Sequence, residues 1–100
     1  MTFDMFQEYI EEHILEGWKS DVELDVAMVT KNNGVQLRGL YIKSKEMNVS
    51  PAIYLDEYYS YYLKGESLEE IIRRIREEYE WKISRVADYH FKLEKFEYVK

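Results

Sequence analysis

Two β-rich runs flank one turn signal between residues 22 and 42. "VELDVAMVT" (22–30) alternates in polarity, "KNNG" follows, and "VQLRGLYI" (35–42) alternates again. Asn33-Gly34 between such runs predicts an antiparallel hairpin, because a type I′ turn needs positive φ at both central residues. Val22, Leu24, Val26 and Met28 should point one way, and Glu23, Asp25, Ala27 and Val29 the other. Ala27, Val29, Leu40 and Ile42 are expected to share the face away from Val26 and Met28. That face is either an open patch or, with helices on both sides, a second core layer. Gly39 inside the second run signals a bulge or a close approach of a neighbour. A bulge there would turn Leu40 and Ile42 inward.

Helical periodicity surrounds this hairpin. Thr2 can cap a first helix, with Asp4 in its first turn where the helix dipole favours an anion. Phe3, Phe6, Ile10 and Ile14 recur at helical spacing, and Gly17 should end the helix near residue 16. "SKEMN" is loop-like, and Pro51 can start a third strand, "AIYL". In "IYLDEYYSYYLKG" (53–65) Asp56 is a good N-cap and Gly65 a good C′ residue. Leu55, Tyr58, Tyr59, Tyr62 and Leu63 then share a core-facing arc, with Tyr62 more buried than Tyr61. "SLEE" (67–70) is a capping box. Behind it Leu68, Ile71, Ile72, Ile75, Tyr79, Ile83, Val86, His90 and Leu93 keep helical period to at least residue 88. The fold class is therefore α+β. Residues 1–100 form one domain in the order α-β-β-β-α-α, a small three-stranded antiparallel sheet with helices mostly on one face.

The hairpin "TKNNGVxLxGL" and the later "SPxIYL" resemble an uncharacterised domain-of-unknown-function family found in longer proteins of anaerobic gut bacteria. The resemblance runs over roughly residues 1–99. It implies that "FEYVK" leads into a further strand and a second region. It supplies a fold unit, no assigned activity and no catalytic residues.

Chemistry is sparse. There is no cysteine, which removes thiolate nucleophiles, disulfides and Cys-based zinc sites. His13 and His90 stand far apart without metal-ligand spacing, and no serine lies in a nucleophile elbow. No phosphate-cradling glycine motif is present. Arg73, Arg74 and Arg76 sit at helical spacing from acids and suit ordinary helix ion pairs. No enzyme activity, cofactor or metal is expected. The N-terminus lacks the basic and apolar regions of a signal peptide, and no run is long enough to span a bilayer, so a cytoplasmic protein is expected.

Charge is the remaining clue. The net charge is −6. Residues 1–25 hold eight acids against the single base Lys19, while the rest of the chain holds twelve acids and thirteen bases. Direct binding to nucleic acid or membrane is disfavoured. Glu8, Glu11, Glu12 and Glu16, extended by Glu23 and Asp25, form a candidate face for a protein partner with a basic surface. The expected function is a non-enzymatic acidic protein-binding module. Inhibition of a nucleic-acid-binding protein, in the manner of anti-CRISPR proteins, is one form of it. The alternative is a structural or regulatory domain of a larger bacterial protein. Tyr61, and Trp81 flanked by Arg85, are further candidate contact residues, and self-association is open.

Overall fold

The computed structural model describes the backbone of residues 1–18, 21–45 and 50–98, with side chains as far as residue 85. Among these residues six elements follow one another: α1 (Phe3–His13), β1 (Val22–Thr30), β2 (Gln36–Ser44), β3 (Ala52–Tyr54), α2 (Leu55–Leu63) and α3 (Leu68–Tyr98). The fold is α+β. The sheet is antiparallel throughout, in the order β1-β2-β3.

The hairpin register corrects the expected faces. Val26 pairs with Leu40, Leu24 with Ile42 and Ala27 with Gly39. Paired residues share a face, so Leu40 and Ile42 lie with Leu24 and Val26, and both are fully buried. Ala27 and Val29 lie on the other face beside Leu37 and Tyr41. The reason is one residue of turn. Lys31 and Gly34 close the loop through a Gly34 N–H to Lys31 carbonyl bond of 2.9 Å, and Lys31 N–H meets the Val35 carbonyl at 2.8 Å. This is a three-residue loop over Asn32, Asn33 and Gly34, with φ +83° at Gly34 and the Asn33 side chain accepting from Val35 N–H. The expected two-residue turn on Asn33-Gly34 would have flanked the loop with Asn32 and Val35. A slip of one residue moves a whole strand's side chains to the opposite face. No bulge interrupts β2; the pairing runs unbroken from Val22↔Ser44 to Thr30↔Gln36. Gly39 instead accommodates a close approach. A Cβ there would stand 3.1 Å from the Tyr41 ring and 3.2 Å from a Val29 methyl.

The inner sheet face carries the core. Leu40, Ile42 and Ile53 meet Phe6, Ile10 and Ile14 from the N-terminal segment, Leu55 and Tyr58 of α2, and Ile71, Ile72, Ile75 and Tyr79 of α3. The helix caps show why these elements begin and end where they do. Thr2 caps α1 through its hydroxyl and the Met5 N–H. The helix stops at His13, three residues before the expected end, and the chain then turns to a positive φ at Gly17. Its last carbonyls are taken by a residue from another helix. Arg76 donates to the His13, Ile14 and Glu16 carbonyls at 3.3, 3.1 and 2.5 Å. A guanidinium satisfies several orphan carbonyls at once and complements the negative end of the dipole. Arg76 is therefore not the ordinary in-helix ion-pair partner that its spacing suggested.

β3 is one residue shorter than "AIYL", because Leu55 already opens α2. The N-cap is Tyr54, without a side-chain cap bond, and not Asp56. The Asp56 carboxylate accepts the backbone N–H of Arg38 at 2.7 Å, tying α2 to the sheet. At the other end Gly65 N–H bonds the Tyr62 carbonyl and Glu66 N–H bonds that of Tyr61, a Schellman closure. Ser67 caps α3 by accepting from Glu70 N–H. The reciprocal arm of the capping box is absent, since the Glu70 carboxylate turns to Arg73 and Arg74. The helical phase of α2 also differs from expectation. Leu55 and Tyr58 are buried, Tyr59, Tyr61 and Tyr62 are all half-buried, and Leu63 is 66% exposed. Tyr61 is thus half-buried, as Tyr62 is, and not the exposed ring that was expected. The side chains of Val86, His90 and Leu93 lie outside the described residues.

Candidate functional site: the outer side of α1

Burial of Phe6, Ile10 and Ile14 fixes the rotation of α1. Glu8, Glu12 and Glu16 are left exposed, and Glu11 half-buried. Glu8, Glu11 and Glu12 enter no ion pair or hydrogen bond among the described residues. Most other acids do. Asp4 pairs with Arg38 at 2.7 Å, Asp25 with Lys43 at 4.0 Å, and Asp21 and Glu23 share Lys45 at 3.4 Å each. In α3, Glu70 and Glu77 pair with Arg73, and Glu78 with Lys82. The two carboxylates beside Lys45 hold its ammonium pKa above the ordinary lysine range.

The expected extension of the acidic face through Glu23 and Asp25 does not form. Strand alternation puts both on the outer sheet face, with Lys43 and Tyr41 opposite them, whereas α1 packs on the inner face. Each also has a lysine for a neighbour.

α3 supplies what β1 does not. A cleft of about 410 Å³ runs between α1 and α3, lined by Tyr9, His13, Glu16, Glu69, Ile72 and Arg76. His13 Nδ1 lies 2.7 Å from a Glu16 carboxylate oxygen, and its ring lies tilted against Tyr9 with centroids 4.1 Å apart. Glu69 brings a second carboxylate to the same cleft. Its membership was invisible in sequence, because it rests on how α3 crosses α1. The Arg76 charge in the cleft is engaged by three carbonyls at the end of α1. The cleft thus gathers two carboxylates, an aromatic ring, the His13 imidazole and the Arg76 guanidinium. No group of three or more His, Asp or Glu side chains is gathered in a metal-binding arrangement among the described residues.

The other expected contact residues separate from this site. Trp81 is 57% exposed on α3, with the Arg85 guanidinium 4.8 Å from its ring centroid. Tyr61 is not freely exposed. Its hydroxyl donates to Glu57, and Arg74 covers its ring at 5.3 Å.

The chain matches the family of unknown function DUF5688 over residues 3–100. It belongs to DUF5688. The hairpin, "SPxIYL" and both flanking helical regions all fall inside the matched span. No curated protein and no solved structure matches the chain. No helix among the described residues of this DUF5688 member is long and apolar enough to cross a membrane.

Proposed function

We propose that this chain is a non-enzymatic protein-binding module that receives a basic surface of its partner on the outer side of α1. The observation that carries this reading is the uncompensated state of Glu8, Glu11 and Glu12, where most other acids among the described residues are paired. Solvated carboxylates of this kind contribute little to folding. They steer a positively charged partner and raise its association rate. The neighbouring cleft suits a lysine or arginine side chain held between Glu16 and Glu69. Proteins that grip nucleic acid present such basic surfaces, so the finer proposal is an inhibitor that places carboxylates where phosphates would lie, acting in the cytoplasm.

The test is a Glu8/Glu11/Glu12→Lys variant. Glu16 is kept because it contacts His13. The variant should melt within about 5 °C of the wild type, as expected for surface changes. A basic partner captured by the wild type at low salt should be lost by the variant, and its association rate with the wild type should fall as salt rises. Equal retention by the folded variant at low salt would overturn the reading.

A second reading is favoured by Trp81, which is more than half exposed beside Arg85. An accessible tryptophan stacked by arginine is a frequent interface anchor, suited to docking on another part of a larger protein. Trp81→Ala should leave folding intact and remove that contact.

A further inference from the structure

The sheet has one short edge strand and one long one. β3 covers the far side of β2 with three residues, after which α2 takes over. β1 offers a free edge nine residues long, with no strand beside it among the described residues. The core follows the same gradient. The inward apolar residues of the central part of β2 and of β3 (Leu40, Ile42 and Ile53) are fully buried. Those of β1 are not: Val22, Leu24 and Val26 are half-buried, and Met28 is 58% exposed.

The hydrogen-bond pattern fixes which groups the free edge presents. Lys31 and Lys45 N–H groups bond Val35 and Asp21 carbonyls respectively, so odd-numbered residues of β1 face β2. Antiparallel ladders alternate. Leu24, Val26, Met28 and Thr30 therefore direct their N–H and C=O groups outward. Long unpaired edges of this kind are templates for another strand.

We propose that the occupant is β1 of a second copy, paired antiparallel about a two-fold axis at Ala27, which makes a continuous six-stranded sheet. Val26 then exchanges bonds with Met28 of the second copy and Leu24 with Thr30, giving about eight inter-strand hydrogen bonds. Leu24, Val26 and Met28 of the two copies form one apolar strip that completes the open side of both cores. Charge selects the partner and the register. β1 is preceded by Asp21, carries Glu23 and Asp25 in its first half, and is followed by Lys31. Antiparallel self-pairing sets the acidic half of each copy beside the lysine of the other, with Glu23 opposite Lys31 of the second copy. Ala27 opposite Ala27 suits the closer spacing of a non-hydrogen-bonded pair. A register centred on Val26 would bring the two Asp25 carboxylates into diagonal contact, which disfavours it. The interface is two-fold and self-complementary. It is small, so dissociation in the micromolar range is expected.

Sedimentation of the whole chain from about 1 to 500 µM should show a monomer–dimer equilibrium with a midpoint in that range. Met28→Pro removes an N–H that makes no bond to β2, and proline is tolerated on edges of this kind. It should remain folded by circular dichroism and be monomeric throughout. Lys31→Glu sets a carboxylate against Glu23 of the second copy and should weaken the dimer about fivefold or more. Glu23→Lys combined with Lys31→Glu should restore it, which is the arm that carries the test if Met28→Pro misfolds. A wild type monomeric at all concentrations, a folded Met28→Pro that still dimerises, or a charge swap without recovery would each overturn the proposal.

Discussion

Among single residues, Asp56 takes a place that a strand residue would otherwise fill. β3 ends at Tyr54, and the next backbone donor of β2, Arg38 N–H, finds the Asp56 carboxylate at 2.7 Å in a half-buried setting. Asp56→Ala leaves that donor without its partner, and such a loss costs about 1–3 kcal/mol. The expected result is a drop of that size in chemical denaturation, with faster amide exchange at Arg38. Tyr58 sets a pH dependence. Its hydroxyl is drawn from water and donates to Glu78 at 2.6 Å. Burial first, then the Glu78 contact, pushes its pKa above the ordinary 10.0 of tyrosine. The folded state therefore holds this proton more tightly than the unfolded state. The stabilisation is complete below about pH 10 and is lost as pH rises towards the folded pKa. Alkaline titration of stability should begin to fall near pH 10, and Tyr58→Phe should flatten part of that fall. Tyr79, whose pKa is also raised by burial, leaves a remainder.

Among the elements, the hairpin shows what decides a register. Asn33-Gly34 is a strong turn signal, yet the chain spends three residues in the loop. A two-residue turn would have aimed Leu40 and Ile42 outward. Burying each of these side chains is worth about 1.5–3 kcal/mol, more than the difference between two tolerable loop types. The core, not the turn, chose the pairing. Deleting Asn32 tests this directly. Lys31 and Val35 then flank Asn33-Gly34 in a two-residue loop with the present faces unchanged. Stability should stay within about 1 kcal/mol of the wild type, since both loop lengths are common in hairpins, and a cross-strand contact between the Val26 and Leu40 backbones should persist by NMR. Loss of that contact, with a large loss of stability, would show that the loop itself sets the pairing. The same lesson holds for α1, whose C-terminus rests on Arg76 from α3 rather than on residues of its own.

Across the molecule, polar contacts tie the layers at their margins. Tyr58 of α2 meets Glu78 of α3, and Lys82 joins Glu78 at 2.9 Å and the Ala52 carbonyl of β3 at 2.6 Å. Thus one network joins both helices to the short strand. The two tryptophans report on different regions. Trp18 is half-buried, edge-on to Tyr79 at 5.1 Å and close to Arg76. Trp81 is exposed beside Arg85. Iodide should quench the Trp81 emission strongly and that of Trp18 weakly. In Trp81→Phe the readily quenched component should disappear; if it survives, it arises from Trp18, and that ring is open to solvent rather than packed against Tyr79.

The elements and their order are legible without any structure. Strict alternation at 22–30, helical stripes at Phe6-Ile10-Ile14 and Ile71-Ile75-Tyr79, and local caps at Thr2, Gly65 and Ser67 are short-range signals. Each acts within one turn or one strand, so each can be read without the rest of the chain. The acidity of α1 was legible for the same reason, since one buried stripe fixes where the glutamates point. Three things came only from packing. It set the pairing of β1 with β2, because one residue of loop exchanges the two faces. It moved Glu23 and Asp25 away from α1 and brought Glu69 to it, because convergence across elements depends on how those elements cross. It diverted Asp56, Glu70 and Arg76 from the roles their local spacing suggested, because a backbone group stranded by another element, or a well-placed opposite charge, competes with a solvated cap or ion pair.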